Sequence, residues 1–210
     1  MKHIPHLYLP GPWEGETVEA GRNQVDHLSR VLRLEPGSEI TYTDGAGTYG
    51  AGVWSGAEIS RADEERRHRT SNLIVATAPP SNRDRVRFLI EKVAELGVER
   101  LLWLTTRHGV RRVPPLKRQR SWAISALEQS RGSWLMAVSD GFVDWDSLER
   151  PLAVCVPGGF EAGAVFRTIA VGPEGGFGDD EVPRDATPVS LGPTILRVET
   201  AAVVAAARFR

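Results

Sequence analysis

The apolar run Thr168-Ile169-Ala170-Val171 leads directly into Gly172-Pro173-Glu174-Gly175-Gly176-Phe177-Gly178. The run is too short and too uniformly apolar for a half-exposed strand, so it reads as a strand covered on both faces. Four glycines in the next seven positions let the backbone take positive φ angles and approach a ligand closely. In open α/β sheets, ligands bind beyond the carboxyl ends of the strands, which is where this segment falls. The spacing G-x-x-G-G-x-G is not the dinucleotide fingerprint G-x-G-x-x-G, and no Gly-Lys-Ser/Thr follows to make a P-loop. Taken alone, the segment also admits a plain glycine-rich turn.

The flanking chain extends the same pattern on both sides. Residues 72–78 and 100–105 are short apolar strands, and 84–96 is a helix with Val86, Leu89, Ile90, Val93, Ala94 and Leu96 on one stripe, stopped by Gly97. A second helix spans 116–130, a further strand 152–156, and an alanine-rich helix 199–208. Buried strands alternating with helices predict an α/β fold with a mainly parallel sheet. Upstream the reading changes to β-rich: 39–42 alternates, 44–47 is a turn, and 48–54 returns as a strand. Ahead of these, 23–34 places Val25, Leu28, Val31 and Leu32 on one helical stripe, ended by Pro36-Gly37. Residues 61–69 carry no apolar side chain larger than alanine and read as a solvated hairpin tip or a linker. A boundary near residue 70 divides the chain into 1–70 and 71–210.

Composition narrows the class. With 210 residues, 41% hydrophobic and 25% charged, the chain is globular rather than disordered. No apolar run approaches the ~20 residues of a membrane span. No signal peptide is evident, and a single cysteine, Cys155, excludes an internal disulfide framework. A cytoplasmic protein is expected. The net charge of −1 hides a strong asymmetry: residues 83–131 hold 12 basic and 5 acidic side chains, whereas 132–196 hold 3 and 10. Such a division aims a basic surface at a polyanion while the molecule stays near neutral. Of 26 basic residues 23 are arginine, a composition suited to phosphate contacts that a G- and C-rich genome also produces. Residues 105–120 contain six basic residues and no acidic one. The run fits a solvated face as well as a nucleic-acid surface.

Four segments in order then carry a resemblance. Glu95-Leu96-Gly97-Val98, Glu128-Gln129-Ser130-Arg131, Gly172-Pro173-Glu174-Gly175-Gly176-Phe177, and Leu191-Gly192-x-x-Ile195-Leu196-Arg197-x-Glu199-Thr200-Ala201 resemble the RsmE family. These are the 16S rRNA (uracil-1498-N3)-methyltransferases of the SPOUT class. His27-Leu28-x-x-Val31-Leu32-Arg33 with Gly37, Asp44, Gly45 and Gly47 is similar to that family's small PUA-type β-barrel domain. Two positions depart from the family pattern: Asn82 stands where a lysine is usual before the first helix, and Thr194 stands where an arginine is usual.

The resemblance implies a SPOUT trefoil-knot domain over 71–210, a PUA-like RNA-binding domain over 1–70, and S-adenosyl-L-methionine held among three loops. These are 156–159, 172–176 and 191–196, with Pro157, Gly158, Val171, Gly172, Gly175, Gly176, Leu191, Gly192, Ile195 and Leu196 as cofactor-binding residues. It expects a β-branched side chain at Gly175 to clash with both the backbone conformation and the ligand. Methyl transfer to uracil N3 needs no metal; it needs alignment and stabilisation of charge on the base. Arg197 is the candidate for that charge, with Arg131 a second candidate donated by a facing subunit. Glu199 is either a base or a helix-terminal residue favoured by the dipole. Arg30, Arg33, Arg107, Arg111, Arg112, Arg118 and Arg120 are expected on phosphates. The partners implied are 16S rRNA in the assembled small ribosomal subunit and a second copy in a homodimer that pairs through the alanine-rich helix. Two alternatives remain: a diverged SPOUT enzyme acting at another RNA site, and a non-catalytic ribosome-binding relative. The intact 172–176 loop weighs against the latter.

Overall fold

The computed structural model describes residues 4–160, 163 and 165–210. The chain forms two compact units, one made of the segment up to Arg69 together with Leu127–Leu135, the other of Thr70–Ala126 and Met136–Arg210. A single cut near residue 70 does not produce this division, because 127–135 joins the first unit.

The first unit is built on a five-stranded sheet of order β1-β3-β4-β5-β2. Its strands are β1 (His6–Tyr8), β2 (Thr17–Glu19), β3 (Glu39–Thr43), β4 (Thr48–Trp54) and β5 (Glu58–Arg66). β1 runs parallel to β3, and the remaining pairs are antiparallel. Alternation along β3 turns Ile40 and Tyr42 into a core with Leu7, Leu9, Val18, Leu28, Trp54 and Ile59. The stretch expected as a tip or linker is the second half of β5. Its charged side chains face water, and Arg61 and Tyr42 both hydrogen-bond the Glu64 carboxylate, at 2.7 and 2.8 Å.

The expected helix 23–34 is interrupted. α1 (Arg22–Asp26) passes into a π-helical turn, His27–Val31. The wider turn rotates the stripe, so Leu28 is buried while Val31 and Leu32 are 67% and 39% exposed.

His6 shows what burial does in this unit. One ring nitrogen lies 2.9 Å from the Thr41 hydroxyl, and the other donates to the Gly132 carbonyl at 3.0 Å. Burial lowers its pKa to about 4, against the upward pull of the Gly132 carbonyl and with lesser help from the charges of Arg131 and Arg67. The unfolded chain therefore takes up a proton near pH 6.5 that the folded chain refuses until about pH 4. Stability is full above that window and falls by about 3 kcal/mol as pH drops through it. Denaturant melts at pH 7 and pH 4 are expected to show this loss, and His6→Gln is expected to flatten it.

The second unit carries a six-stranded parallel sheet of order β11-β9-β10-β6-β7-β8. It comprises β6 (Ile74–Thr77), β7 (Arg100–Leu104), β8 (Ala137–Val143), β9 (Leu152–Phe160), β10 (Thr168–Val171) and β11 (Thr187–Val189). β6 and β10 are buried along their whole length, as parallel strands covered on both faces must be. Three helices accompany the sheet: α2 (Arg83–Glu95), α3 (Leu116–Ser130) and α4 (Val198–Phe209). α2 turns Val86, Leu89, Ile90 and Val93 inward. Asn82 is its N-cap, its side-chain oxygen accepting from the Asp84 and Arg85 amides. The position that departs from the family's lysine is thus a helix cap here. α4 buries Ala201, Ala202, Ala205 and Ala206 within its own unit and packs on α2. Those alanines are therefore spent inside the chain, and the small-residue face expected to serve a dimer is occupied. No helix among the described residues is long and apolar enough to cross a membrane.

Candidate functional site

Beyond the carboxyl ends of β10 and β11, and alongside the middle of β9, lies a cavity of about 610 Å³. Cys155, Val156 and Pro157 of β9 form one wall, the segment from Val171 to Gly178 a second, and Leu191, Gly192, Thr194, Ile195 and Leu196 a third. Val182, Val198 and Ala201 complete it. Its volume and largely apolar lining suit a small organic ligand. The Cys155 thiol is pushed up to about 12 by burial, against a lesser opposite pull from Arg208. It stays a neutral apolar wall rather than a nucleophile.

The glycine segment is held from behind. The Glu181 carboxylate accepts from the amides of Arg107 and Gly178, at 2.7 and 2.6 Å. Phe177 lines the cavity and also packs on the core, meeting Trp145 edge-on at 5.2 Å. A Cβ on Gly172 would sit 3.2 Å from the Phe177 ring, and one on Gly178 would meet the Arg107 side chain at 2.9 Å. The Phe177 ring leaves little room for a larger residue at Gly172, whereas at Gly178 the exposed end of Arg107 can swing aside. At Gly175 the reason differs from the one expected: its φ is ordinary, and the nearest obstacle is His108, 3.2 Å from an added Cβ. The backbone demand lies instead at Gly176 (φ +73°) and Gly192 (φ +138°).

A charged cluster adjoins this wall. Arg85 of α2 donates to the Glu174 carboxylate at 2.9 Å, and its Nε lies 3.6 Å from Glu199 Oε1. Glu199 is only 7% exposed, and its Oε2 is buried with no hydrogen-bond partner. Its carboxylate is thus an interior ion-pair member rather than a solvated terminal charge. Among the described residues, no group of three or more His, Cys, Asp or Glu side chains is placed to hold a metal ion.

Nine of the ten residues expected at the cofactor line the cavity: Pro157, Val171, Gly172, Gly175, Gly176, Leu191, Gly192, Ile195 and Leu196. Gly158 does not. Residues 156–159, expected as a loop, belong to β9, with Gly158 at φ +74° beyond the wall. Arg197 is the N-cap of α4, exposed between the lining residues Leu196 and Val198. Arg131 belongs to the other unit, where at φ +55° its guanidinium donates to the Ile4 carbonyl at 2.8 Å. In the same unit Glu128 accepts from the Tyr8 amide at 2.9 Å, and burial raises its pKa. The Glu128-to-Arg131 segment thus ties chain segments together. Arg107, Arg111, Arg112, Arg118 and Arg120 are all exposed. Arg30, also exposed, lies 3.4 Å from Asp26, and Arg33 sits at φ +50°. Two further arginines of this unit stack on aromatic rings, Arg67 3.3 Å over Tyr49 and Arg69 4.4 Å over Trp134. The only signal for them in the sequence was the basic run itself, which says nothing about the aromatic rings beneath.

Comparison with known proteins accords with this geometry. A family model described as an RNA methyltransferase domain matches residues 67–210. A ribosomal RNA small subunit methyltransferase E from Mycobacterium bovis is 30% identical, over 92% of this chain and 86% of its own. One of the same name from Synechocystis is also 30% identical, over 91% of this chain and 72% of its own. The crystal structure of a ribosomal RNA small subunit methyltransferase E from Neisseria gonorrhoeae, bound to S-adenosyl methionine, superposes with a TM-score of 0.85. It is 27% identical and covers 98% of this chain and 96% of its own. The mixed first sheet followed by the parallel second sheet is the architecture of these SPOUT-class enzymes. With a family model over most of its length and a relative aligned nearly end to end, the chain belongs to the ribosomal RNA small subunit methyltransferase E family of RNA methyltransferases.

Proposed function

We propose that this protein methylates N3 of a uridine in small-subunit ribosomal RNA, with S-adenosylmethionine as the methyl donor. The observation that carries the reading is the cavity at the strand ends, walled by glycine backbone and apolar side chains, with Arg197 beside it. Its size and lining fit an adenosyl group, and the glycines at 172, 175, 176 and 192 leave the wall free of side chains where the ligand lies against it. When bound, the cofactor supplies an activated methyl group on a sulfonium. The protein's part is alignment and charge. Leu191, Ile195 and Leu196 hold the apolar body, and Arg197 stabilises the negative charge that spreads over the uracil carbonyls as N3–H is lost.

In this reading the exposed arginines of 107–120, together with Arg30 and Arg33, contact phosphates. Arg67 on Tyr49 and Arg69 on Trp134 offer planar surfaces for splayed bases. Arg131, tied to the Ile4 carbonyl, acts as a structural residue of the RNA-binding unit. The protein works in the cytoplasm as a homodimer, for which Phe160, 71% exposed, supplies apolar surface. The test is methyl incorporation from labelled donor: assembled small subunits are expected to be better substrates than naked RNA, and no incorporation into either contradicts the reading. Arg112→Ala is expected to weaken RNA binding and lower the log–log salt slope by about one. Filter binding across a salt series measures it, and an unchanged slope removes Arg112 from the interface.

A further inference from the structure

We propose that Glu174 and Glu199 make the cavity selective for the cationic methyl donor over its neutral product. The proposal rests on the methyl-transfer reading above. Two carboxylates share one guanidinium: Arg85 bonds Glu174 at 2.9 Å and approaches Glu199 at 3.6 Å. The cluster therefore carries one formal negative charge in excess. Glu174 lines the cavity, and Glu199 follows directly on the lining residue Val198. The Glu199 side chain is 9% exposed, and its Oε2 is unpartnered, so this charge is screened by water far less than a surface carboxylate is. Nearby cations do not cancel the excess through contact with the cluster. Arg208 donates to the Ser190 carbonyl, the Arg107 side chain lies along Gly178, and Arg197, exposed at the N-cap of α4, makes no ion pair with either glutamate, both of which face Arg85.

The chemistry converts this field into discrimination. In transfer, the S–CH3 bond breaks with its electron pair remaining on sulfur, an N3–CH3 bond forms, and the N3 proton passes to solvent. The donor thereby loses its sulfonium charge and becomes a neutral thioether, while its amino-acid charges are unchanged. A wall with excess negative charge attracts the donor and has no net pull on the product. It so favours loading and release in the productive order.

The experiment is calorimetric titration of S-adenosylmethionine and S-adenosylhomocysteine, separately, into wild type, Glu174→Gln and Glu199→Gln. Each variant is expected to weaken the donor by about threefold or more at the intermediate dielectric of a partly buried site, with the product nearly unchanged. High salt is expected to narrow the wild-type preference. Equal weakening of both ligands, or no change in their ratio, overturns the proposal. Should Glu199→Gln fail to fold by thermal melt, Glu174→Gln decides alone, since its side chain is half exposed. If wild type binds neither ligand, the methyl-transfer reading falls, and this proposal with it; binding of both with an unmoved ratio sinks only the selectivity.

Discussion

Gly192→Val is expected to weaken S-adenosylmethionine at least a hundredfold while leaving the sheet folded. Gly192 sits at φ +138°, outside the range of L side chains, and forms part of the cavity wall. Backbone strain at such a position costs about 1–3 kcal/mol, and a β-branched side chain either projects into the cavity or displaces 191–196. Gly158→Val separates the two effects. It has comparable backbone strain at φ +74° but lies beyond the wall, so it is expected to lower the melting temperature and leave affinity intact. Calorimetry and thermal melts on the two variants check the pair. Undiminished binding by Gly192→Val removes 191–196 from the cofactor site.

Arg197→Ala is expected to lower turnover about 10²–10³-fold, the magnitude typical of losing one donor to a developing oxyanion, with RNA affinity nearly unchanged. The substitution is structurally cheap. Arg197 precedes α4, makes no side-chain cap hydrogen bond and is exposed, so its loss leaves no buried group unpaired. Arg112→Ala supplies the contrast, reducing affinity and salt dependence while sparing turnover at saturating RNA. Single-turnover rates and binding constants for both variants distinguish the roles. If both lose only affinity, Arg197 is a phosphate contact.

Where local pattern dictates structure, the sequence was legible. The bounds of α3 and β10 and the inward face of α2 follow from periodicity and apolar runs, and the glycine loop is found by composition at the end of a buried strand. The failures have physical causes. The π-helical turn at His27–Val31 inserts a residue per turn that a 3.6-residue stripe cannot register. β5 holds its charged stretch 61–66 in a ladder whose partners lie on β4, so its strand character is tertiary. β8, with Ser139, Asp140 and Gly141 at its centre, is an edge strand with no continuous apolar face to announce it. At the site, loop positions were readable, but the ion pairs of Arg85 were not. Glu174 and Glu199 stand 89 and 114 residues further along the chain from it, and only folding brings the three together.

The most direct test maps methylated nucleotides by mass spectrometry in small-subunit ribosomal RNA from cells with and without this protein. The account predicts that one N3-methyluridine disappears in its absence. It returns on expression of the wild-type chain, but not of Arg197→Ala or Gly192→Val. An identical set of methylated uridines in both cell lines would contradict it.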